Sequence, residues 1–208
     1  MPKRVYLIRH GETEASLSGR FVGATDVPLT ARGELQVKRL AALLPKHVLA
    51  SGAPTWCVAS PMLRAQQTAT AVVGPTGLTL SIDADLREMD FGAWEGLSSE
   101  EVEELYPGGQ REWAEPTELT RFPEGESLGE FERRIARAQE RIVRHEAGVV
   151  LVFAHGGVVR ALACGLLGFG RKDYWFLKVQ PASVVRIDVF DRGALLAEVW
   201  SVDDREEA

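Results

Sequence analysis

The chain contains no asparagine, only two cysteines, and five lysines against nineteen arginines. Two isolated cysteines, Cys57 and Cys164, cannot supply the closely spaced thiolates of a structural metal site. Each lies in an apolar run, Thr55 to Val58 and Ala161 to Cys164, so both read as buried free thiols of a reducing compartment. No hydrophobic stretch suits a membrane span: the longest, Val149 to Phe169, is broken by His155, Arg160 and several glycines. A strand-like run begins by Val5 without the apolar segment of a signal peptide, so a cytoplasmic location is expected. The net charge of -6 lacks the basic excess of a broad nucleic-acid or membrane footprint, and neither partner is expected. A cleft answers to local charge, so a small anionic substrate stays compatible. The missing asparagine carries two open readings, adaptation to heat and a GC-rich genome.

What is present is ordinary for a globular protein: 45% hydrophobic and 26% charged among 208 residues. One compact domain over 1–208 is expected. Apolar runs at Arg4–Arg9, Thr55–Ala59, Leu78–Ile82 and Val149–Ala154 read as strands, and Ser183–Phe190 with Ala194–Trp200 as a hairpin. Helices are expected from Ala31 to Leu44 behind a Thr30 cap, with Leu35, Leu40, Leu43 and Leu44 as apolar positions. Others should start at Ser60-Pro61, span Leu128–Glu146, and follow Gly157. Residues 88–127, rich in Gly, Pro and acids with a short helix near Ser98–Leu105, read as an excursion over the active site. Alternating strands and helices predict an α/β three-layer sandwich, its mostly parallel sheet covered on both faces.

In such sheets ligands collect at the carboxyl ends of strands. Three polar clusters fall there: Arg9-His10-Gly11, Ser60 to Arg64, and His155-Gly156-Gly157. Taken singly each has a bland reading, a structural histidine or a surface arginine. A helix opening after His155 would present backbone N–H groups to an anion. Glu88 adds a carboxylate at the start of the excursion. A zinc site on His10 and His155 lacks a convincing third ligand. His47 and His145 read as surface residues.

Taken together, the clusters resemble the histidine phosphatase superfamily, the phosphoglycerate mutase-like family, over nearly the whole chain and in order. The matching runs are Arg9-His10-Gly11-Glu12-Thr13, Gly19-Arg20, Leu29-Thr30-Ala31-Arg32-Gly33, Ser60 through Ala69, Leu86 through Gly96, and Ala154-His155-Gly156-Gly157. The resemblance implies that His10 is a neutral nucleophile forming a phosphohistidine, its other ring nitrogen donating to a backbone carbonyl. Arg9, Arg64 and a protonated His155 would bind the phosphoryl oxygens without a metal or cofactor. Glu88 would be the proton donor and acceptor. Thr13, Ser16, Arg20 and the Gly156 N–H would be lesser substrate contacts. Many members carry an asparagine where Ser16 stands, which leaves the use of Ser16 open.

The acidic stretch Leu97 to Glu104 is unlike the basic insertion of the mutases, although Arg111 and Arg121 could assist a carboxylate clamp. The run Glu88 to Gly96 and the later Phe122 to Ser127 look like the phosphatase branch, which includes α-ribazole phosphatases. The expectation is therefore a phosphomonoester hydrolase, monomer or homodimer, acting on a small phosphorylated metabolite, α-ribazole phosphate being one candidate. A cofactor-dependent phosphoglycerate mutase is the alternative, and a catalytically inert phosphate-binding module a third. Trp94, Trp113 and Phe122 either line an aromatic mouth or pack the excursion onto the domain, the second reading being preferred.

Overall fold

A computed structural model describes residues 1–49 and 52–203. The strands are β1 (Lys3–Arg9), β2 (Thr55–Ala59), β3 (Leu80–Ile82), β4 (Val149–Ala154), β5 (Ser183–Phe190) and β6 (Gly193–Ser201), in the sheet order β3-β2-β4-β1-β5-β6. The first four are mutually parallel; β5 and β6 run antiparallel and make the edge, so the sheet is mixed. The helices are α1 (Glu14–Ser18), α2 (Ala31–Leu49), α3 (Leu63–Val73), α4 (Ser99–Leu105), α5 (Gly109–Ala114), α6 (Leu128–Arg144) and α7 (Gly156–Leu167).

Strand residues alternate between the two faces, as a period of two requires. Val5, Leu7, Val150 and Val152 pack with Phe131, Ile135, Val158 and Leu162 of α6 and α7. Tyr6, Ile8, Leu151 and Phe153 pack on the other face with Leu40, Leu44, Ala69 and Val72 of α2 and α3. The expected three layers are thus present. The chain leaves β1 for α2 on one face and β4 for α7 on the other, although β1 and β4 are neighbours. That divergence opens a crevice at their carboxyl ends, the place where α/β sheets bind ligands.

Several boundaries differ from expectation. The helix α2 runs past Pro45 to Leu49, because Val37, Leu40, Leu44 and Val48 hold one buried stripe while Leu35 faces solvent. Ser60-Pro61 does not open α3. Its first helical residue is Leu63, and the Ser60 hydroxyl accepts the Met62 N–H at 3.3 Å instead. The short helices α1 and α5 escape a periodicity argument because each is under two turns long. Trp94 and Phe122 are buried in a ring cluster with Phe91, with centroids 5.0 Å apart in two of these pairs. These two pack the excursion onto the domain, while Trp113 packs on Phe91 and Phe122 and also faces a cleft. His145 is half-buried, stacked 4.2 Å from Trp56. The His47 side chain lies outside the described residues. Cys57 and Cys164 are buried and free, and no described helix is long and apolar enough to cross a membrane.

Candidate active site

The carboxyl ends of β1, β2 and β4 bring together three of the sequence clusters. The His10 N–H donates to Ala154 at 3.0 Å and the Ser60 N–H to Phe153 at 2.9 Å, which continues the sheet pairing just beyond the strands. The His10 and His155 rings therefore meet edge to face, with centroids 5.2 Å apart. Both are buried.

His10 Nδ1 lies 2.7 Å from the Gly11 carbonyl oxygen. A carbonyl can only accept, so Nδ1 carries the hydrogen and the Nε2 lone pair is left free. Burial, then the charges of Arg9 and Arg64, holds the imidazole well below its usual value, against the opposing bond to Gly11. His155 is likewise depressed by burial and then by His10, Arg64, Arg9 and Arg134. Burial among cations disfavours a further charge here; the protonated His155 expected above is that of the site with a phosphoryl group bound. Its Nε2 bonds the Ser60 hydroxyl at 2.8 Å, while Nδ1 is buried without a protein partner.

Arg9 donates from Nη1 to the Val179 carbonyl at 2.7 Å, but its buried Nε has no partner. A Cβ built on Gly156 would touch this guanidinium at 3.5 Å, which places the start of α7 against Arg9. Burial lowers Arg9 to about 10, still a full cation near neutrality, and lowers Arg64 also. Arg64 is aimed by the carbonyls of Thr25 and Gly23, at 3.0 and 2.9 Å. That loop is itself fixed by Glu95, whose carboxylate accepts the N–H groups of Gly23, Ala24 and Thr25. Glu88 reaches the same crevice: its Oε2 accepts the Gly157 N–H at 2.9 Å, and Oε1 the Met89 N–H at 3.1 Å.

The outer candidates are engaged differently. Thr13 caps α1, and the Ser16 hydroxyl accepts the Thr13 N–H at 2.9 Å while donating to the Thr13 carbonyl at 2.8 Å. Arg20 pairs with Glu101 at 2.5 Å and donates to the Gly96 carbonyl at 2.6 Å, which ties α4 to the end of α1. A phosphate contact from the Ser16 O–H would require giving up its bond to the Thr13 carbonyl, whereas Arg20 has N–H donors beyond those used in these bonds.

Residues not singled out from the sequence complete the surroundings. Tyr174 brings its hydroxyl to the Gly157 position opposite Glu88. Arg160 lies 5.8 Å from the Tyr174 ring and 5.0 Å from that of Trp175. Arg134 holds the backbone around Glu88. A polar residue in the apolar stripe Phe131, Ile135, Ala138 and Ile142 was its sequence signal. A cleft of about 640 Å³ lies between α6 and α7, walled by Trp113, Ile135, Cys164 and Trp175. It shares Tyr174 and Trp175 with these surroundings and includes neither histidine. Among the described residues, no group of three or more His, Cys, Asp or Glu is placed to hold a metal ion.

Paired histidines, two arginines and a carboxylate thus meet at the switch point of an α/β sheet. The chain is a member of the histidine phosphatase superfamily (branch 1), whose family model matches residues 5–201. It is 32% identical to phosphoserine phosphatase 1 of Hydrogenobacter thermophilus, covering 91% of this chain and 88% of that one. It is also 32% identical to the probable phosphoglycerate mutase GpmB of an Enterobacter species, covering 96% and 91%. The α-ribazole phosphatase of Shigella flexneri superposes with a TM-score of 0.82 at 28% identity, over 96% of each chain. The chain spans only about half, 52%, of mycobacterial relatives that it matches at 35% identity, among them a bifunctional protein of Mycobacterium tuberculosis. The relatives include phosphatases and mutase-like proteins.

Proposed function

We propose that this protein is a metal-independent phosphomonoester hydrolase that carries the phosphoryl group on His10. The observation that carries this reading is the His10 Nδ1 bond to Gly11, which leaves Nε2 unprotonated inside a ring of fixed positive charge. Nε2 attacks phosphorus in line. The bond from phosphorus to the ester oxygen breaks, and that oxygen takes the proton of Glu88 to leave as an alcohol. Water then gives a proton to Glu88 as its oxygen attacks phosphorus. The phosphorus–nitrogen bond breaks, releasing inorganic phosphate and neutral His10. Arg9 and Arg64 carry the charge that builds on the phosphoryl oxygens. In this proposal Ser60 donates to Nε2 of His155, so that Nδ1, which has no protein partner, carries the hydrogen toward a phosphoryl oxygen. A bound dianion would also draw a second proton onto His155. Thr13, Ser16, Arg20 and the Gly156 N–H remain the lesser substrate contacts of this proposal.

Small phosphorylated metabolites are the proposed substrates, α-ribazole phosphate among them, the activity named for the Shigella neighbour. Hydrolysis is favoured over mutase chemistry because one of the two basic candidates for a clamp is already engaged: Arg121 is tied to Glu130 at 2.8 Å and to the Gly125 carbonyl. Acid-labile, base-stable label on His10 after quenching with labelled substrate, and turnover unchanged by chelator, are the expected results. Label absent from His10, loss of activity with chelator, or full turnover in His10→Ala would overturn the reading. Phosphate transferred to 2- or 3-phosphoglycerate in preference to water would support the mutase alternative.

A further inference from the structure

Arg134 of α6 is almost wholly buried. A guanidinium offers five N–H donors, and here each has an acceptor. Nε and Nη2 donate to the two carboxylate oxygens of Glu126, at 3.1 and 2.5 Å. Nη1 donates to the carbonyls of Asp85 and Arg87, at 2.8 and 2.5 Å, and Nη2 to that of Glu88, at 2.9 Å. Glu126 passes the restraint on, since its Oε1 accepts the Asp90 N–H at 2.9 Å and its own N–H donates to the Asp90 carbonyl at 3.1 Å. One buried ion pair therefore grips the backbone on both sides of Glu88 without a bond to the Glu88 carboxylate.

We propose that Arg134, anchored by Glu126, is a positioning residue for the two proton transfers of Glu88. The inference rests on the phosphohistidine reading above. Stability alone is a weak reason for this arrangement, because a buried ion pair gains little over apolar packing of the same volume. Proton transfer is far more demanding. The carboxyl must come within hydrogen-bond reach of the ester oxygen and later of the water, and a displacement of about 1 Å can cost on the order of a hundredfold in rate. The Gly157 N–H holds one side of the carboxylate, and Arg134 holds the chain that carries it.

The test compares a substrate whose leaving group needs a proton, glycerol phosphate, with one that does not, p-nitrophenyl phosphate. In Arg134→Gln, transfer from glycerol phosphate to His10 should fall by about tenfold or more, with KM changed less than about twofold. Transfer from p-nitrophenyl phosphate should stay within about twofold, giving a burst, because only the later breakdown of phosphohistidine needs Glu88. Glu126→Gln should show the same selectivity in weaker form, and Arg134→Lys carries the comparison if the glutamine variant does not fold. Equal loss of transfer from both substrates, or no loss from either, overturns the proposal. Glu88→Gln separates the two ideas. If it shows no leaving-group selectivity, the role given to Glu88 fails; if it does and the Arg134 and Glu126 variants do not, positioning alone fails.

Discussion

Oε2 of Glu88 accepts the backbone N–H of Gly157 at 2.9 Å, across 69 residues of chain. The contact is close because Gly157 has no side chain: a Cβ there would collide with Glu88 Oε1 and lie 3.0 Å from the Tyr174 hydroxyl. Gly157→Ala should therefore fold, since helix positions accept alanine well, yet lower kcat by about a hundredfold through displacement of the carboxylate. Steady-state rates alongside a thermal melt would check this. Unchanged kcat would show that the contact is dispensable.

Stability should fall in mild acid. His10 and His155 are held below the ordinary value of 6.5 in the folded protein. Below that pH the unfolded chain binds more protons than the folded one, so stability is complete above it and declines as pH falls. Each histidine adds a slope of up to about 1.4 kcal/mol per pH unit. Urea unfolding at pH 7.5, 6.5 and 5.5 measures the decline, which a His10→Ala, His155→Ala double variant should largely abolish.

Ser60→Ala removes the described partner of His155 Nε2. The ring then loses a bond that holds its orientation, and kcat/KM should drop by about tenfold. A larger share of the loss should appear with slow substrates than in the binding of inorganic phosphate. Full activity in this variant would mean that the ring is held elsewhere.

For Ser16, the capping bonds predict a stability effect. Ser16→Ala should destabilise the protein by about 1 kcal/mol or less, since α1 is short and only one cap is lost. If Ser16 also contacts phosphate, KM should rise by several-fold; an unchanged KM would confine the residue to the cap.

The local sequence determined much of the fold and of the candidate centre. Short apolar runs marked all six strands, and the polar residues following β1, β2 and β4 marked where the crevice would lie. Arg9, His10, Arg64 and His155 stood out as polar groups at strand ends or a helix start, but their roles and that of Glu88 rested on the resemblance of the whole pattern to a family. What only the tertiary structure decided were relations between distant segments. Arg134 stands out in the apolar stripe of its helix, but its partners, the carbonyls of Asp85, Arg87 and Glu88, are set only when that chain folds against it. Glu95 reads as a solvated acid until the loop at Gly23 closes over its carboxylate. The proton state of His155 also belonged to the folded protein, because desolvation and the fields of Arg9 and Arg64 exist only after burial. Periodicity records which face of an element is apolar; hydrogen bonds and charge across the chain depend on positions that packing alone assigns.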